Sequence, residues 1–249
     1  TAPNIAYSMA LTGQKPEILG TVGCDFEDYR LWLEKNGVGT SLVHVRNDDF
    51  TASCFITTDK SSNQITGFYP GAMAYDDRIS MDEIPMDDVS MVVVAPTEPA
   101  AMSKWCDELR KIGVPYLYDS GMQIPRLNAQ ELSQGVLGAK IAIFNEYEFE
   151  MMVKKTGLST EDILNKIEIL VVTLGEKGSV LRTKTERVHV PAAKPYKVVD
   201  PTGAGDAYRA GLLKGYFENA GLEKMGQYAS ITSVYAVENK GATEHSYTL

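Results

Sequence analysis

The sequence predicts a three-layer α/β fold, with helices on both faces of a mostly parallel sheet. Short, continuous, β-branched runs recur at 91–95, 115–118, 140–144 and 167–173, as expected of strands buried on both faces. Helical patterns lie between them, and strand alternating with helix marks crossover units. One stretch, 41–71, departs from this: it alternates loosely with polar residues and contains the turn-rich piece Asp59-Lys60-Ser61-Ser62-Asn63. That reads as an antiparallel ribbon inserted early, with one face to solvent. At 249 residues the chain can bury one good-sized core, although length alone permits one or two domains.

Taken in order, the apolar run that ends at Leu11 is helical, with Asn4 placed to cap it. The ribbon follows with strands at 42–45, 51–58 and 64–68. Its Phe55, Phe68 and Tyr69 either form the ribbon's apolar face or offer a platform to a flat ligand. After the strand at 91–95 comes a helix at 98–112, then strands at 115–118 and 140–144. Asn145 and Glu148 open the next helix, 145–155, at the spacing of a capping box. A further helix at 159–165 precedes the strand 167–173. Thr173-Leu174-Gly175-Glu176-Lys177-Gly178 then turns the chain into the apolar run 179–181. Val198 and Val199 end a strand or loop that feeds a helix with Tyr208, Leu212, Leu213 and Tyr216 on one face, stopping near Gly221. In such sheets ligands sit beyond the carboxyl ends of the strands, where Asp119, Asn145, Thr173 and the Gly203 loop stand.

Composition removes several function classes. The net charge of −9 and the pI near 4.9 argue against a nucleic-acid or anionic-membrane partner. No apolar run approaches a membrane span. Cys24, Cys54 and Cys106 lack metal-ligand spacing and read as small buried residues of a reduced, cytoplasmic protein. His44, His189 and His245 form no local constellation.

The chemistry concentrates in Asp200-Pro201-Thr202-Gly203-Ala204-Gly205-Asp206. Gly203, Ala204 and Gly205 leave consecutive amides almost bare of side chain, and at a helix N-terminus such amides and the helix dipole stabilise an anion. Asp206 lies in the first turn, its carboxylate facing the same spot. Free amides and a base aimed at one anion describe phosphoryl transfer to a hydroxyl. A branched side chain at Gly205 is expected to resist unusual backbone angles and to crowd the anion site. Alone, the stretch is also consistent with a plain strand-to-helix turn, Asp206 serving the dipole.

This stretch, continued through Ala207-Tyr208-Arg209-Ala210-Gly211-Leu212, resembles position by position the C-terminal signature of the ribokinase-like (PfkB) carbohydrate and nucleoside kinases. Ala2-Pro3-Asn4-Ile5-Ala6, then Gly13 and Gly23, resembles the family's first signature. The resemblance implies a ribokinase-like fold in which segment 41–71 is a small β-sheet lid over the substrate. It implies Asp206 as catalytic base, the Gly203–Gly205 amides as anion hole, and Asn4 on substrate hydroxyls. The sequence opens inside the first signature, without its Gly-Gly pair or the strand that in the family carries a substrate-gripping Asp. The domain, 1–249, is therefore expected to be N-terminally incomplete.

Further positions follow from the resemblance. Asn145 would approach the ATP phosphates and Glu148 would order the water around Mg²⁺, although the pair makes a capping box unaided. Thr173, Gly175 and Gly178 match the nucleotide loop, which is equally a tight turn between strands. Ser230 and Asn239 fall where relatives line the adenine pocket, and Asp200 and Thr202 fall at a monovalent-cation site, K⁺ in some relatives. The stretch 206–211 and the ribbon end 64–71 look like bacterial adenosine-kinase-like members, with Phe68 on the substrate side. The expected activity is ATP-dependent phosphorylation of a primary hydroxyl, adenosine first and ribose or fructose next, in a homodimer paired through the lid. A ribokinase-fold protein that binds nucleotide without turnover is the alternative of another class. A dinucleotide-dependent oxidoreductase would need Gly-x-Gly-x-x-Gly after a first strand, which the sequence does not show.

Overall fold

The structure, a computed structural model, describes residues 1–58 and 64–247, and the turn-rich piece at 59–63 lies outside the described residues. The chain begins with α1 (Ala2–Leu11), whose N-cap is Thr1 rather than Asn4. Pro3 explains the shift: proline is well placed at the first positions of a helix, where its missing N–H has no partner to lose. Asn4 thereby moves into the first turn and its side chain is free for another partner.

Strands β1 (Glu17–Gly23) and β2 (Gly39–Arg46) pair in parallel, Thr21 opposite His44, across the helix α2 (Glu27–Lys35). Residues 42–45 therefore belong to a crossover unit and not to the antiparallel ribbon. The helix between them supplies the long connection that parallel pairing requires. Only β3 (Ser53–Thr58) and β4 (Gln64–Tyr69) form the expected ribbon, with Cys54 opposite Phe68 and Phe55 opposite Gly67. Residues directly opposite share a face and successive residues alternate. Phe68 therefore projects from one face and Phe55 and Tyr69 from the other, so the three do not make one platform.

The central sheet has the order β10-β9-β8-β7-β6-β5. Strands β5 (Val92–Val94), β6 (Tyr116–Tyr118), β7 (Ile141–Asn145) and β8 (Ile169–Thr173) are parallel. Strands β9 (Ser179–Arg182) and β10 (Arg187–Val190) extend one edge antiparallel. Alternation along each strand feeds two cores. Tyr116, Tyr118, Ala142, Phe144 and Leu170 pack with α3 (Pro99–Ile112), α4 (Ala129–Gly138), α5 (Glu146–Thr156) and α6 (Thr160–Leu164) through Met102, Leu109, Leu132, Met152 and Ile163. Leu117, Ile141, Ile143, Ile169 and Val171 face the other way, toward Tyr208, Leu212 and Leu213 of α7 (Ala204–Phe217) and Met225 and Ala229 of α8 (Leu222–Val237). Two apolar faces on each strand explain the uninterrupted runs in the sequence.

The helix expected to run to Gly221 ends at Phe217, and Gly221 is instead the N-cap of α8. Helices α7 and α8 approach closely because Gly211 has no side chain: a Cβ there would stand 2.5 Å from the Tyr228 carbonyl oxygen and 2.7 Å from Ala229 Cα. Among the described residues no helix is long and apolar enough to cross a membrane.

Candidate active site

The loop that opens α7 is shaped by Gly203. Its φ is +82°, in the left-handed region, and a Cβ would lie 2.6 Å from Ala242 Cβ. Backbone conformation and space both demand glycine. Gly205 is different. It is not among the residues with positive φ, so unusual backbone angles are not its reason. A Cβ at Gly205 would instead stand 3.0 Å from Arg209 Nη1.

The bare amides differ from the sequence expectation in one member, Asp206 standing in for Ala204. Ala204 N–H donates to the Pro201 carbonyl at 3.2 Å, whereas among the described residues no acceptor meets the amides of Gly203, Gly205 or Asp206. The last two belong to the first helical turn, where no intrahelical acceptor exists. They point out of the N-terminus of α7, and the helix dipole adds positive potential at the same place.

Asp206 stands half-buried beside them. Asn4 Nδ2 donates to its Oδ2 at 2.8 Å, a bond that joins residues 202 apart in sequence and brings the two sequence signatures together. Burial pushes the Asp206 carboxyl above its ordinary range, against the opposing pull of the Asn4 hydrogen bond and Arg209. Asp206 Oδ1 makes no hydrogen bond among the described residues. A carboxylate of raised basicity with one free oxygen, next to free amides, can accept a proton from a hydroxyl while an anion is held close by.

Sequence reasoning missed Arg209. It occupies the buried side of α7, only 9% exposed, with Nε 2.6 Å from Asp119 Oδ2 just beyond β6. The approach is close but poorly aligned: neither Nε nor either Asp119 oxygen has a directed hydrogen bond. Nη1 donates to the Gly205 carbonyl at 2.6 Å. Burial opposes the charge of Arg209, but Asp119, Asp206 and Glu148 outweigh it and hold the guanidinium ionised. The available signal was a lone cation among Ala207, Tyr208, Ala210 and Gly211 on a face that otherwise reads as core.

The remaining expected positions are spread over several elements. Asn145 pairs in register with Thr173 at the carboxyl ends of β7 and β8. Asn145 and Glu148 cap α5 reciprocally, Glu148 N–H donating to Asn145 Oδ1 and Asn145 N–H to Glu148 Oε2, each at 2.8 Å. Burial raises the Glu148 carboxyl. Gly175 and Gly178 shape the turn from β8 to β9, closed by Leu174 N–H on the Gly178 carbonyl at 2.7 Å. Asp200 accepts from the amides of Thr202 and Gly241, both at 2.9 Å, and so ties the 239–242 loop to the loop before α7. Those bonds hold the Asp200 carboxyl below its ordinary range. Asn239 Nδ2 donates to the Tyr235 carbonyl and Ser230 Oγ accepts from Ala193 N–H, so both side chains are already engaged by backbone. Phe68, 50% exposed on the ribbon, has no described contact with Asn4 or Asp206.

A ribokinase-type three-layer fold with an amide-lined helix N-terminus beside a carboxylate defines a small-molecule phosphotransferase. Residues 1–248 match the pfkB family carbohydrate kinase family, and the chain belongs to it. The chain is 32% identical over 242 residues to the nucleoside kinase of Methanocaldococcus jannaschii, covering 96% of this chain and 79% of that protein. It superposes on the nucleoside kinase of Burkholderia thailandensis in complex with inosine with a TM-score of 0.94 and 32% identity, covering 99% of this chain and 83% of that one. The adenosine kinase of Sinorhizobium meliloti shares the fold at a TM-score of 0.79 and 22% identity, covering 97% of this chain and 78% of that one. The protein is a carbohydrate or nucleoside kinase of the PfkB family.

Proposed function

We propose that this kinase transfers the γ-phosphoryl group of ATP to a primary hydroxyl of a nucleoside, with a purine nucleoside such as adenosine favoured over ribose or fructose. The single observation that carries the reading is the Asn4–Asp206 hydrogen bond beside the unpartnered amides of Gly205 and Asp206. Asn4 holds Oδ2 of the carboxylate, which leaves Oδ1 to take the proton of the attacking hydroxyl. The amides of Gly203, Gly205 and Asp206 stabilise charge on the transferring group, Ala204 contributing through backbone shape rather than through its N–H. Nucleoside kinases at 32% identity, one of them in complex with inosine, support the acceptor class.

Phosphoryl transfer depends on positioning and on neutralising charge. Magnesium would supply the neutralisation. Among the described residues no group of three or more His, Cys, Asp or Glu side chains could hold a metal. The fit is therefore to an ion carried by ATP and touched through water by Glu148, a hard oxygen donor. Asn145, Thr173, Gly175, Gly178, Ser230 and Asn239 would surround the nucleotide. The Asp200–Thr202 turn is the place for a monovalent cation such as K⁺. Exposed Phe55 and Ile65, on one face of the ribbon, suit a lid that pairs two copies of a cytoplasmic enzyme.

A coupled ADP-release assay with Mg·ATP against adenosine, inosine, ribose and fructose tests the reading. The expected result is a nucleoside kcat/KM well above that of either sugar. Robust turnover of ribose or fructose with none of any nucleoside overturns the acceptor assignment and leaves the family intact.

A further inference from the structure

We infer that Arg209, held by its counter-ion Asp119, is a positioning residue that aims the Asp206 amide and carboxylate at the transferring phosphoryl group. The inference rests on the kinase reading above. Arg209 reaches back one turn along α7, as helical side chains do, and places Nη1 2.6 Å from the Gly205 carbonyl oxygen. In a trans peptide the carbonyl and the next N–H point in opposite directions. Anchoring the Gly205 oxygen therefore fixes the Asp206 N–H toward the open end of the helix. Asp119, 1% exposed, anchors the guanidinium from the other side at 2.6 Å.

Stability alone is a weak reason for this arrangement, because a buried ion pair seldom outperforms apolar packing. Here neither member even completes an aligned hydrogen bond to the other. The absence of a side chain at Gly205 leaves the space in which the guanidinium sits. A planar fork can hold a carboxylate and a carbonyl at once, whereas a lysine ammonium offers one point of charge.

The experiment compares Arg209→Gln, Arg209→Lys, Asp119→Asn and the Arg209→Gln/Asp119→Asn double variant, with kcat, KM and the pH profile of kcat/KM measured on folded protein. Arg209→Gln should lower kcat by about 10²-fold, the scale of a misplaced reacting group, with KM for the acceptor little changed. The groups facing Asp206 are Asn4 from α1, Asp119 beyond β6, and Arg209 on its own helix. Removing the Arg209 charge should move the acid limb to higher pH. Arg209→Lys should return the limb toward its parental place without restoring kcat. The double variant should lose no more than Arg209→Gln, since the pair acts as a unit. Should Arg209→Gln not fold, Arg209→Lys and Asp119→Asn carry the comparison. A folded Arg209→Lys or Asp119→Asn with parental kcat, or an Arg209→Gln with an unmoved acid limb, overturns the inference alone. A parent protein inactive on every acceptor overturns the kinase reading and this inference with it.

Discussion

Gly203→Ala places a methyl group where the backbone and the neighbouring loop both refuse it. At φ +82° an L-residue costs about 1–2 kcal/mol relative to glycine. The new Cβ would also meet Ala242 at 2.6 Å to Cβ and 2.7 Å to Cα. Backbone must then shift, which in a packed region costs about 1–3 kcal/mol. The sum centres on about 3.5 kcal/mol, about 7–14 °C in Tm for a chain of this size. Gly157 provides the control, because it has φ +73° and open space for 4 Å around the place a Cβ would take, so Gly157→Ala isolates the backbone cost. Thermal melting of the two variants beside the parent, followed by the ADP-release assay, separates the terms. Gly203→Ala should melt below Gly157→Ala and lose turnover, while Gly157→Ala keeps it. Equal melting temperatures would show that Ala242 yields freely and that the loop contact constrains nothing.

Asp206→Asn should lower kcat by about 10²–10⁴-fold while ADP binding, read by calorimetry, persists. It should also raise Tm at neutral pH. A carboxyl whose folded pKa lies above the unfolded 3.8 contributes its stability fully below that value and loses it as pH rises through the folded pKa, so the amide removes a standing cost. A lowered Tm would contradict this. Asn4→Ala removes a hydrogen bond that favours ionised Asp206, so the acid limb of kcat/KM should move to higher pH, and an unmoved limb would refute the coupling. Phe68→Ala should raise KM for adenosine by about tenfold if base stacking is lost, with any ribose activity little changed. Equal losses on both acceptors would mean that Phe68 only maintains the ribbon.

Much of the fold was legible because its signals are local. The runs at 141–145 and 169–173 are apolar on both faces since Phe144 and Ile143 feed different cores. The glycine loop and Asp206 were legible for the same reason: spacing within a few residues sets their geometry. What escaped depended on distant partners. Residues 17–23 are only partly buried and carry two glycines, so β1 has no strong period, and its parallel partner lies across α2. Helix α8 buries Ala229 and Thr232 against α7, Gly226 against Val190 and Leu181, and Ser230 beside Ala193, small and polar residues that look exposed in a linear reading. Arg209 stands unexplained on a core-like face until Asp119 is brought beneath it. The capping box at Asn145 and Glu148 satisfies both side chains by itself, so its presence neither adds to nor subtracts from their expected role at ATP.

The bond from Asn4 to Asp206 also has a consequence in time. Helix α1 and the loop after it are made long before their partners: Asp206, the Ala210 carbonyl that accepts from Gln14, and His245 and Tyr247 against Tyr7 and Ser8. At the usual pace of synthesis the separation of 202 residues amounts to about 10–40 s. During that interval α1 lacks its packing against α7, although Ala6 can already meet Phe26, Leu33 and Val38. A nascent chain that stalls before residue 206 holds Asn4 without the carboxylate it orients and leaves one side of α1 uncovered. Activity therefore cannot appear before residue 206 has been made, and α1 is a segment a chaperone would meet before then.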